Sequence, residues 1–238
     1  DDFVLAHNVA SVNGGNGNNS FNVNASITSN LSGGNGTDSF VIADTVQLTG
    51  TINGAENNDT LNIGSYSSLV TLNLNTTGAN GINGTTTGTP NPVSGGFSNI
   101  DLFVGGSGGN SYNVNTALSA DLTGGAGSDT FTINSVLTGS VDGGVGGIDT
   151  LQGPALSNAL LTSAAASDEF AGSITGVSGG FSGIDTLSGS GTLTGQNTDA
   201  SWVSSAINSG SYATGGNTLT FNGFSGWIGG SQADNFTL

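Results

Sequence analysis

The chain has 238 residues, of which 43 are Gly and none is Lys, Arg, Cys or Met. Its 16 acidic side chains give a formal charge of −16, and no cationic side chain is present to make the phosphate contacts that nucleic-acid binding requires. Without Cys, disulfides and thiolate metal sites are excluded. Without an ammonium or guanidinium group, much of the chemistry that stabilises an oxyanion is also excluded.

Such a composition, rich in Gly and polar residues, is also typical of disordered chains. A folded chain is favoured because 34% of the residues are hydrophobic and because these residues occur in short alternating runs. No run of about 18 apolar residues occurs, so no membrane span is expected.

A glycine-rich motif that ends in an apolar residue recurs along the chain. Its clearest copies are Gly14–Phe21, Gly33–Phe40, Gly105–Tyr112 and Gly124–Phe131, and degenerate copies end at Leu61, Leu151 and Phe236. Adjacent copies are 19 to 21 residues apart. A period near 20 with strand-type content predicts one turn of a β-solenoid per repeat.

Short alternating stretches predict the strands of each repeat. In chain order they are Ser20–Asn24, Val46–Ile52, Ala120–Leu122 and Thr130–Asn134. When coils stack about 4.8 Å apart, like residues lie above like, so the Phe, Tyr and Leu residues that end the motif are expected to form one inward ladder. The Ala-rich stretch 164–169 is too short to form a helix and is predicted to be a loop.

A second motif has the pattern Val-Ser-Gly-Gly-Phe-Ser-x-Ile-Asp. It occurs at Val93–Asp101 and Val177–Asp185, with a shorter echo at Gly223–Gly226. Phe97 and Phe181 are 84 residues apart, which is four units of about 21 residues. The second motif therefore gives a repeat unit similar in length to that of the first motif.

These spacings together predict an all-β fold, a parallel β-helix (β-solenoid) of about twelve coils of about 20 residues. Residues 1–238 are expected to form a single solenoid segment. Asp1–Leu5 has the same phase in the motif as Asp234–Leu238, which indicates a segment of a longer repeat array.

The repeats resemble giant bacterial surface adhesins of the filamentous-haemagglutinin-like and RTX-like types. Gly33–Phe40 and Gly124–Phe131 match the RTX pattern Gly-Gly-x-Gly-x-Asp-x-apolar, and Gly191–Gly226 is similar to a Trp-containing repeat of such proteins. The resemblance implies a right-handed coil, an extracellular or bacterial cell-surface location, and cell-surface glycans among the partners.

The RTX resemblance also implies calcium, held between stacked turns by Asp carboxylates and backbone carbonyls. Two pairs of Asp would stack in adjacent copies and are the candidate metal ligands: Asp38 with Asp59, and Asp129 with Asp149. With one nonapeptide per repeat, such ions are expected along one edge only.

Purely structural turns are the alternative interpretation of these acidic residues. Asn19 and Asn110 stand where the motif would have Asp. A neutral amide offsets a divalent charge poorly, but it can join a hydrogen-bonded ladder.

The expected function is mechanical: a stalk or fibre segment of an extracellular adhesin or matrix filament. Open strand edges would bind neighbouring repeats or other copies of the chain. We expect no enzyme activity, because the single His7 cannot build a multi-histidine metal site and the carboxylates lie mostly at turns. The alternative is a calcium-binding, RTX-like module of a secreted protein. Trp202 and Trp227 are expected in the core or at its edge rather than as platforms for sugars.

Overall fold

The computed structural model of the chain describes residues 1–164 and 169–238. These residues are all-β, with 28 strands and no helix. Residues 165–168, which make up most of the predicted Ala-rich loop, lie outside the described residues.

Short strands follow one another along the whole described chain. The first fourteen are β1 (Asp2–Leu5), β2 (Ser11–Asn16), β3 (Ser20–Val23), β4 (Asn30–Asn35), β5 (Ser39–Ile42), β6 (Ile52–Glu56), β7 (Thr60–Asn62), β8 (Val70–Thr77), β9 (Ile82–Gly88), β10 (Phe97–Ile100), β11 (Leu102–Val104), β12 (Asn110–Val114), β13 (Leu118–Ser119) and β14 (Asp121–Gly125). The others are β15 (Thr130–Ile133), β16 (Leu137–Thr138), β17 (Val141–Gly144), β18 (Thr150–Gln152), β19 (Ser157–Ala164), β20 (Phe170–Thr175), β21 (Val177–Ile184), β22 (Thr186–Ser188), β23 (Ser190–Thr194), β24 (Ala200–Ala206), β25 (Ser209–Thr214), β26 (Asn217–Asn222), β27 (Gly226–Ile228) and β28 (Asp234–Thr237).

The strands form two large sheets with 14 strands each. The first sheet has the order β1-β3-β5-β7-β11-β14-β17-β21-β20-β19-β23-β27, with β13 and β16 beside this path. The second sheet has the order β2-β4-β6-β10-β9-β8-β12-β15-β18-β22-β26-β25-β24-β28. Three segments of three strands run antiparallel within one sheet, and the short strands β13 and β16 are each followed by another strand of the first sheet. Elsewhere the chain crosses to the other sheet after each strand and pairs in parallel with the strand of the previous repeat.

The parallel register places like residues on like. Phe3 pairs with Phe21 and Phe21 with Phe40, and their rings stack with centroids 4.9 and 4.7 Å apart. Tyr112 pairs with Phe131, with ring centroids 5.0 Å apart. The period of 19 to 21 residues is therefore the step from one strand to its parallel neighbour.

The apolar residues that end the motif form two ladders, so the expectation of a single ladder is wrong. Phe21, Phe40 and Leu61 stack in the first sheet, whereas Tyr112 and Phe131 stack in the second. The exchange follows the first detour, β8–β10, which widens only the second sheet.

Three antiparallel detours interrupt the parallel order. They are β8–β10, β19–β21 and β24–β26. Each sets a glycine opposite a phenylalanine, in the pairs Gly84–Phe97, Gly172–Phe181 and Gly210–Phe221. A Cβ on these glycines would meet the Cζ of the ring at 2.6, 3.0 and 3.1 Å. The ring therefore occupies the space above the glycine, which holds the returning strand in register.

The second sequence motif forms the returning strand of a detour. Phe97 lies in β10 of the second sheet and Phe181 in β21 of the first, so the two equivalent rings lie in different sheets. The third equivalent ring is Phe221 and not Phe224, since Gly223–Gly226 follows the returning strand. A spacing close to a multiple of the period does not distinguish the two sheets.

The stretch Val46–Ile52 was predicted as one strand, but β6 begins only at Ile52. Leu48 makes isolated parallel bridges to Ile27 and Val93 and is completely buried. The alternating pattern therefore identified buried residues in the connection that precedes β6. Inward side chains of both sheets form one hydrophobic cluster. None of the described elements is a helix long and apolar enough to cross a membrane.

Stacking of the turns predicts how three equivalent positions respond to substitution. Gly15, Gly34 and Ala55 pair in register, with φ of 83°, 102° and 81°. A Cβ on Gly34 would meet the Gly15 carbonyl oxygen at 2.2 Å, whereas one on Gly15 has nothing within 4 Å. Gly15→Ala should therefore lower the free energy of unfolding by about 1 kcal/mol through strain alone. Gly34→Ala should lower it by at least about 2 kcal/mol because a clash is added.

Ala55→Gly should raise the free energy of unfolding by roughly 0.5–1 kcal/mol, because glycine adopts the left-handed backbone conformation of residue 55 without the strain that a Cβ causes. Urea denaturation followed by circular dichroism measures all three variants. Equal losses for Gly15→Ala and Gly34→Ala would contradict the close contact between stacked turns.

Candidate functional site

Tight turns connect the sheets in two runs. The first run leads from the second sheet to the first, after β2, β4, β6 and β10; the second leads from the first sheet to the second, after β11, β14, β17 and β21. Parallel strands begin at one edge of a sheet and end at the other. The two runs therefore lie at opposite ends of the second-sheet strands.

Each run carries one polar residue per turn, in the same order of residue types. We name the set Asn19, Asp38, Asp59 and Asp101 the first acid ladder, and the set Asn110, Asp129, Asp149 and Asp185 the second acid ladder. These residues lie one above another because their flanking strands pair in register.

In each ladder, a carboxyl oxygen of every Asp accepts a hydrogen bond from the rung before it. In the first acid ladder the backbone N–H of Asn19 donates to Asp38 at 2.7 Å, that of Asp38 to Asp59 at 2.7 Å, and that of Asp59 to Asp101 at 2.9 Å. In the second, the Asn110 side-chain amide donates to Asp129 at 2.9 Å. The backbone N–H groups of Asp129 and Asp149 then donate to Asp149 and Asp185, both at 2.7 Å.

The structure brings together both predicted pairs, Asp38 with Asp59 and Asp129 with Asp149. It places them at opposite edges, so the expectation of a single acidic edge is wrong. Asp101 and Asp185 extend the ladders and were not singled out as site residues from the sequence. Their signal was present, because each is the last residue of the Val-Ser-Gly-Gly-Phe-Ser-x-Ile-Asp motif.

Four carboxylates are buried with one oxygen unpartnered. Asp38 is 1% exposed, and Asp59, Asp129 and Asp149 are 0% exposed. In each, Oδ2 has no hydrogen-bond partner. A buried polar atom without a partner is costly, so these four oxygens are the feature of the site that most needs a chemical explanation.

The unpartnered oxygens pack against the first glycine of each motif. A Cβ would meet Oδ2 of Asp38 at 2.2 Å if added to Gly33, and that of Asp129 at 2.5 Å if added to Gly124. It would also meet the backbone carbonyl oxygen of the next turn, at 2.7 and 2.3 Å in these two cases. The motif therefore begins with glycine because an acidic side chain and a carbonyl group fill the space of a side chain.

The two Asn rungs show which chemical group suits this space. A Cβ on Gly14 or Gly105 would meet Nδ2 of Asn19 or Asn110 at 2.4 or 2.6 Å, so Nδ2 lies where the acidic rungs have Oδ2. Nδ2 of Asn110 donates to the Gly124 carbonyl at 2.9 Å. The position therefore favours a hydrogen-bond donor. An ionised carboxylate instead places an acceptor oxygen beside the carbonyl oxygen of the next turn, which is also an acceptor.

Burial raises the pKa of these carboxyl groups from the ordinary value of 3.8 to about 7 for Asp59 and Asp149 and to about 6 for Asp129. Loss of hydration is the largest cause in each, and hydrogen bonds from the previous rung oppose it. A protonated carboxyl group could donate to the neighbouring carbonyl as the Asn amide does. Burial also raises the pKa of Asp101.

Carboxylate and carbonyl oxygens are the ligands that Ca²⁺ prefers, but this ion takes six to eight of them at about 2.3–2.6 Å. Here one oxygen of each buried carboxylate already accepts an N–H. Within residues 1–164 and 169–238, no three His, Asp or Glu side chains converge as a metal site. The chemistry of the donor oxygens suits calcium.

The remaining residues singled out from the sequence lie apart from the acid ladders. His7 is exposed between β1 and β2. Trp202 is completely buried, and its Nε1 donates to Oδ1 of Asp234 at 3.1 Å. Trp227 is partly buried against the same core. Packing in the core or at its edge is therefore confirmed for both tryptophans.

Compared with known proteins, the chain matches no family model and no curated sequence.

The acid ladders predict that the protein is more stable in mild acid. Because the pKa of Asp59, Asp129 and Asp149 is raised on folding, the folded state binds more protons than the unfolded state between pH 4 and 7. The free energy of unfolding should therefore fall as pH rises through this window and level off above about pH 7. Thermal unfolding measured by circular dichroism should give a higher Tm at pH 5 than at pH 8.

Two double variants separate this effect from general repulsion among carboxylates. Asp59→Asn with Asp149→Asn should flatten the pH dependence and stabilise the protein at pH 8 by more than about 1 kcal/mol. Asp121→Asn with Asp142→Asn removes two exposed charges of the first sheet and should leave most of the slope. If both double variants reduced the slope equally, surface charge and not the acid ladders would be its origin.

Proposed function

We propose that the chain is a structural stalk or fibre segment of an extracellular bacterial adhesin or matrix filament. In this proposal the two sheets are the walls of a right-handed parallel β-helix about twelve layers high. Handedness and the adhesin type come from the resemblance of the repeats. At about 4.8 Å per layer the rod is roughly 55–60 Å long.

The observation that carries the proposal is the continuous stack of strands. The path of the first sheet contains 12 strands from β1 to β27, and the second runs from β2 to β28. Each strand contacts mainly its neighbours, so stability accumulates along one axis. The number of about twelve coils remains part of the proposal, since each antiparallel detour adds two strands to one of the two sheets.

The end layers support self-association or contact with neighbouring repeats. Each of the edge strands β1, β2, β27 and β28 is paired on one side only within the described chain. Phe3 stacks on Phe21, and Phe236 stacks on Trp202 with ring centroids 5.4 Å apart. A groove of about 490 Å³ next to Phe236 is lined mainly by apolar side chains. A second copy could continue both sheets and cover these rings.

The rest of the proposal follows from composition. A chain without Lys or Arg offers trypsin no cleavage site, as suits a durable extracellular spacer. Cell-surface glycans are included as partners because the resemblance of the repeats implies them. No catalytic activity is proposed, since the acidic side chains nearest to one another form the acid ladders.

Head-to-tail association should give linear assemblies at high protein concentration. Phe236 is 40% exposed in the last layer, so Phe236→Asp should weaken association at least about tenfold, because it places a charge in an apolar contact. Light scattering and negative-stain imaging across a concentration series measure this.

The matched control is Val136→Asp, which adds the same charge at a side chain that is 52% exposed on the flank and should leave association unchanged. A wild-type protein that stays monomeric at its solubility limit would refute self-association, and the fibre would then need covalently linked repeats.

A calcium-binding, RTX-like module of a secreted protein is the second candidate function. The four buried Oδ2 atoms beside backbone carbonyl oxygens favour it. In this case a cation, and not a proton, would be the partner of each Oδ2. Asp38, Asp59, Asp129 and Asp149 would be the side chains involved.

Calcium titration distinguishes the two candidates. For a structural stalk, treatment with a chelator should leave the β-type circular dichroism and the Tm unchanged. For the calcium module, Ca²⁺ at about 100 times its Kd should stabilise the fold by about 2.7 kcal/mol. Asp59→Asn with Asp149→Asn should abolish that gain, whereas Asp121→Asn with Asp142→Asn should preserve it.

A further inference from the structure

Several asparagines of the chain are followed directly by glycine. These residues are Asn13, Asn16, Asn35, Asn53, Asn80, Asn83 and Asn222. An Asn–Gly pair is chemically reactive, because glycine has no Cβ that would keep its backbone nitrogen away from the preceding side-chain amide. The nitrogen can attack the amide carbon wherever the two groups are free to approach each other. The fold decides which pair has this freedom.

All of these asparagines except Asn80 lie in strands, and their side-chain amides make hydrogen bonds. Oδ1 of Asn53, for example, accepts from Nδ2 of Asn99 at 2.9 Å. Oδ1 of Asn222 accepts from the Ser209 hydroxyl at 2.6 Å. Rotation of such an amide toward the next residue breaks a hydrogen bond, while the strand keeps the backbone extended. These pairs are therefore held apart from the reactive geometry.

Asn80 is placed differently. It lies in the turn 78–81 between β8 and β9, and it is exposed. Within residues 1–164 and 169–238, no hydrogen bond holds its side chain. An exposed turn at the tip of a hairpin is among the least constrained parts of a fold. The Asn80 amide is therefore free to turn toward the Gly81 nitrogen.

Packing of the first detour requires glycine at residue 81. Gly81 has a φ of 149°. A Cβ at this position would meet the backbone carbon of Asn99 at 2.6 Å and the backbone nitrogen of Ile100 at 2.8 Å. The Gly78 N–H donates to the Gly81 carbonyl at 2.6 Å, which closes the turn. The contact with β10 thus fixes a glycine directly after the asparagine whose side chain is free.

We propose that Asn80 is a site of spontaneous deamidation through a succinimide. The Gly81 nitrogen forms a bond to Cγ of Asn80, and the bond from Cγ to the side-chain nitrogen breaks. The proton lost by the Gly81 nitrogen and the side-chain NH₂ group leave together as ammonia. Water then opens the ring at one of its two carbonyl carbons, which gives either aspartate or isoaspartate. No oxidant or reductant takes part, and the inference is independent of the proposed function.

The two products differ in their effect on the fold. Both add one negative charge to a chain without Lys or Arg. Aspartate keeps the length of the turn, so Asn80→Asp should have the Tm of the wild type. Isoaspartate adds a methylene group to the main chain of the turn. Because Gly81 packs against β10, the isoaspartate form should unfold at a lower temperature.

Mass spectrometry of chymotryptic peptides, after the folded protein has been kept at pH 8, measures conversion at each asparagine. Asn80 should convert at least about tenfold faster than the asparagine of any other Asn–Gly pair, since those amides must first lose a hydrogen bond. A methyltransferase specific for isoaspartate should label the peptide that contains residue 80. Asn80→Gln should abolish this label, because glutamine forms the corresponding six-membered ring far more slowly.

Two controls separate the local sequence from the fold. Asn208 is exposed at the tip of the hairpin β24–β25 but is followed by Ser209, so it should convert more slowly than Asn80. In urea-unfolded protein, all the Asn–Gly pairs should convert at similar rates. The proposal is wrong if another Asn–Gly pair converts first in the folded protein, or if the peptide with residue 80 carries no isoaspartate. It is also wrong if Asn80 keeps its lead in urea.

Discussion

The close contact between stacked turns is the constraint on which the rest of the structure depends. Above the first glycine of each tight turn, the space of a missing side chain holds an acidic or amide side chain and a carbonyl oxygen of the next turn. The carboxyl group satisfies a backbone N–H that would otherwise be buried without a partner, which is worth about as much as an unmade hydrogen bond costs. Glycine at the start and an Asp or Asn five residues later are therefore two parts of one packing solution.

That solution appears first at one end of the second-sheet strands and then at the other, and the exchange comes after the first antiparallel detour. The detour β8–β10 adds two strands to the second sheet and none to the first. From β11 onwards, tight turns follow first-sheet strands instead of second-sheet strands. The detour β19–β21 then adds strands to the first sheet, and β24–β26 adds strands to the second. Alternation of this kind keeps the two sheets similar in height, so that a core between them can stay continuous.

Much of the parallel stack could be predicted from the sequence, because the period of 19 to 21 residues and the alternation of Phe21 with Val23 report stacking and burial directly. The all-β class and both pairs of stacked Asp followed from these patterns. The detours could not be predicted, since strands such as β9 and β20 alternate in the same way whether they run parallel or antiparallel.

Both acid ladders begin with Asn and continue with three Asp, and the absence of Lys and Arg gives this order a physical reason. With no cationic side chain in the chain, an amide is the best side-chain donor that a buried carboxylate can meet. The amides of Asn19 and Asn110 donate to the second rungs, Asp38 and Asp129, at 2.8 and 2.9 Å.

The third rungs, Asp59 and Asp149, accept a backbone N–H from the rung before instead of a side-chain amide. This difference agrees with a pKa of about 6 for Asp129 and about 7 for Asp149, since the Asn110 side chain lowers the pKa of Asp129. Negative charge is therefore tolerated better at Asp129, next to the Asn rung, than at Asp149. The proton and the metal ion are alternative partners for the same oxygen atoms.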